Sequence, residues 1–344
     1  MTPPPDPTSR PERADPTSLP ERADPTSLPE RAAGESKGRA GFVSFVGRPN
    51  AGKSTLTNAL VGEKVAITSP KPQTTRRAIR GIVHRPDGQL VIVDTPGIHR
   101  PRTLLGQRLN DLVESTLTDV DVIAFCAPAD ERVGPGDRFI VEQLGQYRAR
   151  KVAIVTKTDK VGRERVAEQL IAVSELCADK DWQWDEIVPV SALTEAQLGV
   201  LADALVALMP ESPALYPEET VTDETAEDRI AELIREAALQ GVEDELPHSL
   251  AVTIDEITPR QPAPERAEGG SKGPITDVYA NIWVERDSQK GIVIGKAGGH
   301  LKQIGASARP GIEALLGTRV FLSLRVKLAK EWQRDPKQLG RLGF

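Results

Sequence analysis

Cysteine is nearly absent from this chain. Its 344 residues hold two, Cys126 and Cys177, too few for a disulfide framework, and both are assigned to packing. Histidine is as scarce: His84, His99, His248 and His300 show no ligand spacing, so no zinc site is expected. Aromatic residues make up 4%, and the four tryptophans, Trp182, Trp184, Trp283 and Trp332, are assigned to packing rather than to stacking platforms. No apolar run approaches the roughly 18–20 residues of a membrane-spanning helix, and the amino terminus does not resemble a signal peptide. These absences exclude a disulfide-stapled secreted protein, a zinc protein and a helical integral membrane protein. They fit a reducing cytoplasm.

Charge is present but unevenly spread. The chain carries −6 overall, yet residues 286–344 contain twelve Lys or Arg against four Asp or Glu, a surplus of +8 that leaves −14 for the rest. A basic carboxy-terminal end on an acidic body points to a polyanion partner, either nucleic acid or an anionic membrane surface. Residues 1–38 differ again, with nine of the 28 prolines and one nine-residue unit three times: DPTSRPERA from Asp6, then DPTSLPERA from Asp15 and Asp24. With at most one leucine per unit this repeat cannot bury a core against its ordering entropy, and a disordered tail is expected.

Short apolar runs at 42–46, 90–93, 120–127, 152–155 and 187–190 alternate with helical spacing at 104–117 and 163–177. That is the pattern of a doubly wound, mostly parallel α/β sheet. Three prolines within 207–219 then mark a linker. Beyond it, Ile230, Leu233, Ile234, Ala237 and Ala238 follow helical periodicity, with Gly241 suited to the helix end. Strand patterns at 249–258 and 275–285 flank a polar stretch, 259–274, read as a long hairpin loop. Helical residues surround a Gly-rich turn over 291–316, and a strand closes at 319–328. The expected division is a tail over 1–38, an α/β domain over 40–210, a linker over 211–221 and a smaller α+β domain over 222–344.

The chemistry-bearing motifs sit at strand ends. GRPNAGKST, residues 47–55, matches G-x-x-x-x-G-K-[ST] directly after an apolar run. Its backbone, from Gly47 through Arg48, Pro49, Asn50, Ala51 and Gly52, can wrap phosphate oxygens ahead of a helix amino terminus. Lys53 reaches the β- and γ-phosphates, the Ser54 hydroxyl ligates magnesium, and Thr55 completes the loop. DTPG follows the next clear strand: Asp94 suits a magnesium site, Gly97 can offer its N–H to a γ-phosphate, and Thr95, Pro96 and Ile98 flank them. In TKTD, made of Thr156, Lys157, Thr158 and Asp159, the Asp159 carboxylate can accept two hydrogen bonds from guanine, a donor pair that adenine lacks. Ser191 and Ala192, after a further strand, resemble the Ser-Ala motif whose backbone N–H groups contact guanine O6 in P-loop GTPases. Each tetrapeptide is weak alone. In this order, all at strand ends, they specify GTP with magnesium.

Near the basic end, Gly295, Lys296, Ala297 and Gly298 lie between two helical stretches. A GxxG turn is common. Within a helix–strand–strand–helix–helix–strand order it fits the loop with which a KH domain clamps about four single-stranded nucleotides. Lys296 offers charge to phosphate, Val293 and Ile294 would line the apolar groove, and Lys302, Arg309, Arg325, Lys327 and Lys330 are phosphate-contact candidates.

Over 40–344 the chain resembles the Era family of bacterial GTPases, through GRPNAGKSTLTNAL, SPKPQTTRRAIRGI, VDTPGIHRP, TKTD, VPVSA, VIGKAGGHLKQIGASAR and VFLSLRVKLAKEW. The resemblance implies a P-loop GTPase sheet followed by a type II KH domain. It implies a slowly hydrolysing GTP switch that uses Mg2+, binds single-stranded small-subunit ribosomal RNA near its 3′ end and acts in 30S assembly. A cytoplasmic monomer is implied, with peripheral contact at the inner face of the membrane as a family trait. It also makes Thr74 or Thr75 the switch threonine that closes on magnesium and γ-phosphate, so Lys53, Thr74, Thr75 and Gly97 become catalytic candidates and Ser54, Thr74, Thr75 and Asp94 metal candidates. Two departures stand out. Thr156 replaces the usual Asn, which is expected to shorten the brace between guanine and phosphate loops, and Ile98 stands where a Ras-like enzyme has its water-orienting Gln. The competing reading is an RNA chaperone or assembly scaffold whose nucleotide site is structural.

Overall fold

The computed structural model describes residues 38–69, 71, 74–97, 101, 103–240, 249–260 and 274–344. The repeat tail, Ile98, His99, Gly241, His248 and most of the stretch 259–274 lie outside the described residues.

The first sheet is built from β1 (Arg39–Val46), β2 (Ile79–Arg85), β3 (Gly88–Asp94), β4 (Val122–Pro128), β5 (Arg150–Thr156) and β6 (Glu186–Pro189), in the order β2-β3-β1-β4-β5-β6. Every neighbouring pair is parallel except β2 with β3. Near-continuous apolar composition in the central strands follows from burial on both faces. In β1, Phe42 and Val46 face one core while Val43 and Phe45 face the other. The helices α1 (Lys53–Val61), α2 (Leu104–Asp119), α3 (Pro135–Leu144), α4 (Arg163–Ser174) and α5 (Leu198–Leu208) cover the two faces. The edge strand β2 escapes the apolar-run reading because Arg80, Gly81 and His84 interrupt its Ile and Val residues. Gly81 is needed there, since a Cβ would come within 2.6 Å of Val61 of α1.

The second unit comprises α6 (Ala226–Leu239), β7 (Ala251–Arg260), β8 (Ile275–Val284), α7 (Asp287–Ile294), α8 (Gly299–Leu316) and β9 (Arg319–Leu328). Its sheet runs β7-β8-β9, antiparallel then parallel. Ile230, Ile234, Ile282, Val293, Ile304 and Ile312 close its core. A final short helix, α9 (Pro336–Arg341), was not legible from periodicity. It carries Leu339 into an apolar cluster with the fully buried Trp332, Trp283 and, from the first unit, Leu105 and Leu109 of α2. The two units therefore share a small core. Among the described residues no helix is long and apolar enough to cross a membrane.

Candidate nucleotide and nucleic-acid sites

The loop 47–52 joins β1 to α1 at the carboxyl edge of the first sheet, the usual ligand edge of an open α/β sheet. Gly47 takes φ 155°, and a Cβ there would strike the Cys126 carbonyl oxygen at 2.7 Å, so only glycine lets the loop lie against β4. Lys53 is buried. Its Nζ donates to the carbonyls of Gly47 and Arg48, both at 3.1 Å. Burial lowers its pKa, and Asp94 opposes that shift. An ammonium held chiefly by loop carbonyls in a dry setting favours an incoming phosphate. Gly97 closes the other side, where a Cβ would sit 3.8 Å from Lys53 Nζ and 3.7 Å from the Gly47 carbonyl.

Three oxygens converge beside it. Ser54 Oγ donates to Asp94 Oδ2 at 2.7 Å, and Thr75 Oγ1 lies 3.2 Å from both Ser54 Oγ and Asp94 Oδ2. Asp94 is fully buried, its pKa is raised by that burial, and its Oδ1 has no hydrogen-bond partner among the described residues. A hard dication suits this cluster: the donors are all oxygens, and an unsatisfied buried carboxylate awaits charge. The two threonines part here. Thr75 faces Ser54 and Asp94, whereas the Thr74 hydroxyl turns away and donates to the Lys71 carbonyl at 2.7 Å. Thr74 is thus corrected as a metal candidate: its side chain is spent on the local turn.

At the far end, Asp159 sits exposed in a 3-10 turn, where its Oδ1 accepts from Ser191 Oγ at 2.6 Å. The Ser191 hydroxyl also accepts the Thr194 N–H at 3.1 Å, which fixes the two loops relative to each other. Lys157 adopts the left-handed region at φ 56°. The expected shortfall at Thr156 does not arise: its hydroxyl spans to the Ala51 carbonyl at 2.7 Å, bracing the phosphate loop directly. Arg48 is held by Glu131 and Asp137, Asn50 takes φ 63°, and Pro49 is exposed while Ala51, Thr95 and Pro96 are buried. Thr55, Thr158 and Ala192 are half-buried. Ile98 lies outside the described residues.

In the second unit, Gly295 follows α7, and a Cβ there would meet the His300 backbone nitrogen at 2.9 Å. Lys296 and Ala297 are exposed at the tip, with Ala297 at φ 50°. His300 Nδ1 lies 3.0 Å from the Ile292 carbonyl and ties the two helices across the loop, a contact that motif reading missed. Three candidates need correction. Val293 is fully buried in the domain core, so it cannot line a groove; the exposed apolar side chain beside the loop is Ile292, with Ile294 half-buried. Arg325 and Lys327 alternate with Leu324, Val326 and Leu328, which pack toward the helices, so they lie on the opposite sheet face from the loop. Lys327 there approaches Asp255 and covers Trp283. Lys302 and Arg309 are exposed on α8 and Lys330 is exposed after β9.

The comparisons with known proteins bear on both sites. Residues 42–158 match a family described as 50S ribosome-binding GTPase, and residues 245–333 match the KH domain. The chain is 61% identical over 311 residues to GTPase Era of Streptomyces coelicolor, covering 90% of this chain and 96% of that protein. It is 63% identical to GTPase Era of Mycobacterium sp. strain KMS, covering 90% and 100%. Its fold resembles a crystal structure of Era in complex with MgGDPNP and nucleotides 1506–1542 of 16S ribosomal RNA, at TM-score 0.81 and 35% identity, covering 89% of this chain and 99% of that one. A variant of Aquifex aeolicus Era bound to GDP and aluminium fluoride gives 0.80 at the same identity and coverage.

Proposed function

The chain belongs to the Era family of GTPases, and from that premise we propose a division of labour among its own residues. The chain hydrolyses GTP at the first site and binds single-stranded RNA of the small ribosomal subunit, near its 3′ end, at the second. We assign 40–210 to the GTPase domain, 211–221 to the linker and 222–344 to the KH domain.

Lys53 and the loop N–H groups draw charge off the β- and γ-phosphates as the bond to the leaving oxygen breaks. Gly97, packed against Lys53, presents its N–H to the γ-phosphate. Ser54, Thr75 and Asp94 would hold Mg2+, which would supply positive charge to offset the charge developing on the phosphates. Asp159, oriented by Ser191, reads the guanine edge. Ile98 offers no carboxamide to orient the attacking water, so unaided turnover is slow. The GxxG tip with Lys296 holds the RNA backbone, and Ile292 and Ile294 flank it. We place this action in the cytoplasm, where that RNA resides.

The observation that carries this reading is the Ser54, Thr75 and Asp94 cluster beside the buried Lys53. A merely structural nucleotide site, as in the scaffold reading, has no need of a threonine closed onto the cation position. The test is GTP turnover of the full chain with and without a 16S 3′-end oligonucleotide. Slow turnover is expected, well below the roughly 10 per second typical of enzymes, faster with RNA, and lost in Lys53→Ala. Turnover that survives Lys53→Ala would refute the assignment.

A further inference from the structure

The segment 74–77 is gripped from two sides. Thr75 points into the nucleotide site, whereas its neighbours reach the second unit. Arg76 Nη1 donates to the Leu250 carbonyl at 2.5 Å, and Arg77 pairs with Asp228 at the start of α6. From the other side, Arg235 of α6 donates through Nη2 to the Thr74 carbonyl. Arg235 is 2% exposed. Its guanidinium is held by Glu232 one turn earlier, Nε to Oε1 at 2.9 Å and Nη2 to Oε2 at 2.5 Å. The next residue, Glu236, accepts the Thr68 N–H at 3.0 Å and also pairs with Lys64. One turn of a KH-domain helix thus holds both shoulders of the segment that delivers Thr75.

Chemistry explains why Arg235 in particular matters. The carbonyl of the half-buried Thr74 belongs to no helix or strand, so no ladder partner satisfies it, and the buried Arg235 supplies the donor. A charge-assisted donor on a packed helix fixes that peptide more firmly than water would. Thr75 is the next residue, so fixing the Thr74 peptide sets where Thr75 Oγ1 stands relative to Ser54 and Asp94. The structure assigns Arg235 as a positioning residue for GTP hydrolysis: a side chain of the RNA-binding domain that holds the switch threonine in its closed place. This rests on the reading of 47–55 and 94–97 as the GTP site, and it goes beyond that reading in placing part of the nucleotide-sensing apparatus outside the GTPase domain.

The discriminating property is the γ-phosphate. Thr75 serves the triphosphate state, while Lys53, Asp159 and Ser191 serve both states. Dissociation constants for GDP and for GDPNP are measured in magnesium buffer on the full chain and on Arg235→Met, which keeps the aliphatic stem and removes the donors. Melting temperature reports the fold. GDP affinity should hold within about twofold, GDPNP affinity should fall about tenfold or more, and kcat should fall with it. Equal weakening of both nucleotides would make Arg235 merely structural, and no change in either would also overturn the proposal. Arg235→Lys keeps the charge beside Glu232 but replaces the fork with one ammonium. It keeps the proposal testable even if the Met variant does not fold: a smaller selective loss of GDPNP is expected, and a GDPNP-to-GDP ratio equal to that of the unmodified chain overturns the assignment. Failure of the underlying GTP-site reading looks different, since the unmodified chain would then bind neither nucleotide.

Discussion

Two glycine loops in this chain each open a helix, 47–52 before α1 and 295–298 before α8, and they are built to opposite ends. Around the first, Lys53, Thr75 and Asp94 are buried and bonded to one another or to the loop before any ligand arrives. Around the second, Lys296 and Ala297 stand exposed, and Lys296 makes no side-chain hydrogen bond or ion pair among the described residues. The ligands proposed for the two loops account for the difference. Bond breaking at phosphorus rewards groups fixed in advance in a dry setting. A polymer backbone is met by accessible charge, whose effect is counterion release and whose geometry can adapt.

The harshest way to break the comparison is to reverse the sign of the exposed loop. Replacing Lys296 and Ala297 together with Asp leaves both glycines in place, and an exposed tip tolerates such changes within about 0.5 kcal/mol. Single-stranded RNA affinity should fall at least about a hundredfold at matched salt, because each lost phosphate contact also removes its counterion release. GTP affinity should not move. A gel-shift titration with unchanged RNA binding would mean that the basic segment contacts RNA elsewhere, with Arg325 and Lys327 on the far sheet face as the alternative.

A narrower change sharpens the other side. Asp159→Asn replaces a carboxylate acceptor by an amide at the guanine edge and unsettles the Ser191 hydroxyl that donates to it. Charge-assisted hydrogen bonds are worth roughly 1.5–3 kcal/mol, so calorimetry should show GTP weakened about ten- to a hundredfold. Xanthosine triphosphate should lose less, and RNA affinity should stay as it was. Unchanged GTP affinity would remove the guanine assignment.

The contrast between the loops also marks what the sequence could disclose. Motifs whose chemistry lies in the backbone path were legible: the P-loop, DTPG and TKTD fall at the ends of β1, β3 and β5. Side-chain direction was not. Val293 reads as a groove residue from its place before GxxG, but helix phase turns it into the core and leaves Ile292 outside. Thr74 and Thr75 are indistinguishable in QTTR, and only the fold shows which hydroxyl meets Asp94. Thr156 looks like a loss by residue type, yet the shorter side chain suffices because the Ala51 carbonyl comes to it. Contacts between the units, such as Arg235 with Thr74, join residues 161 positions apart and leave no local pattern. The edge strand β2 and the short α9 were missed for a simpler reason, since each is stabilised by neighbours rather than by its own periodicity.

The smallest effect is expected at the seam between the two units, where charge serves neither ligand. Glu224, near the start of α6, has its pKa pushed up to about 7 by burial and by the neighbouring Asp228, with Asp223 and Glu232 adding to the shift and Arg77 opposing it. The folded protein therefore holds this proton more tightly than the unfolded chain, whose Glu titrates near 4.5. Stability from this group is fully present below pH 4.5 and declines as pH rises through about 7, because the folded state must then carry a poorly solvated charge. Glu224→Gln copies the protonated form at every pH. Near pH 4 the variant and the unmodified chain should melt alike. Near pH 8 the variant should be more stable by about 1 kcal/mol, a figure kept well under the full linkage value of about 1.36 kcal/mol per pKa unit because the side chain is partly solvated. Urea unfolding at the two pH values measures it. A variant that gains nothing at pH 8 would show that Arg77 already neutralises the seam, and the contrast between buried and exposed charge would then rest on the two loops alone.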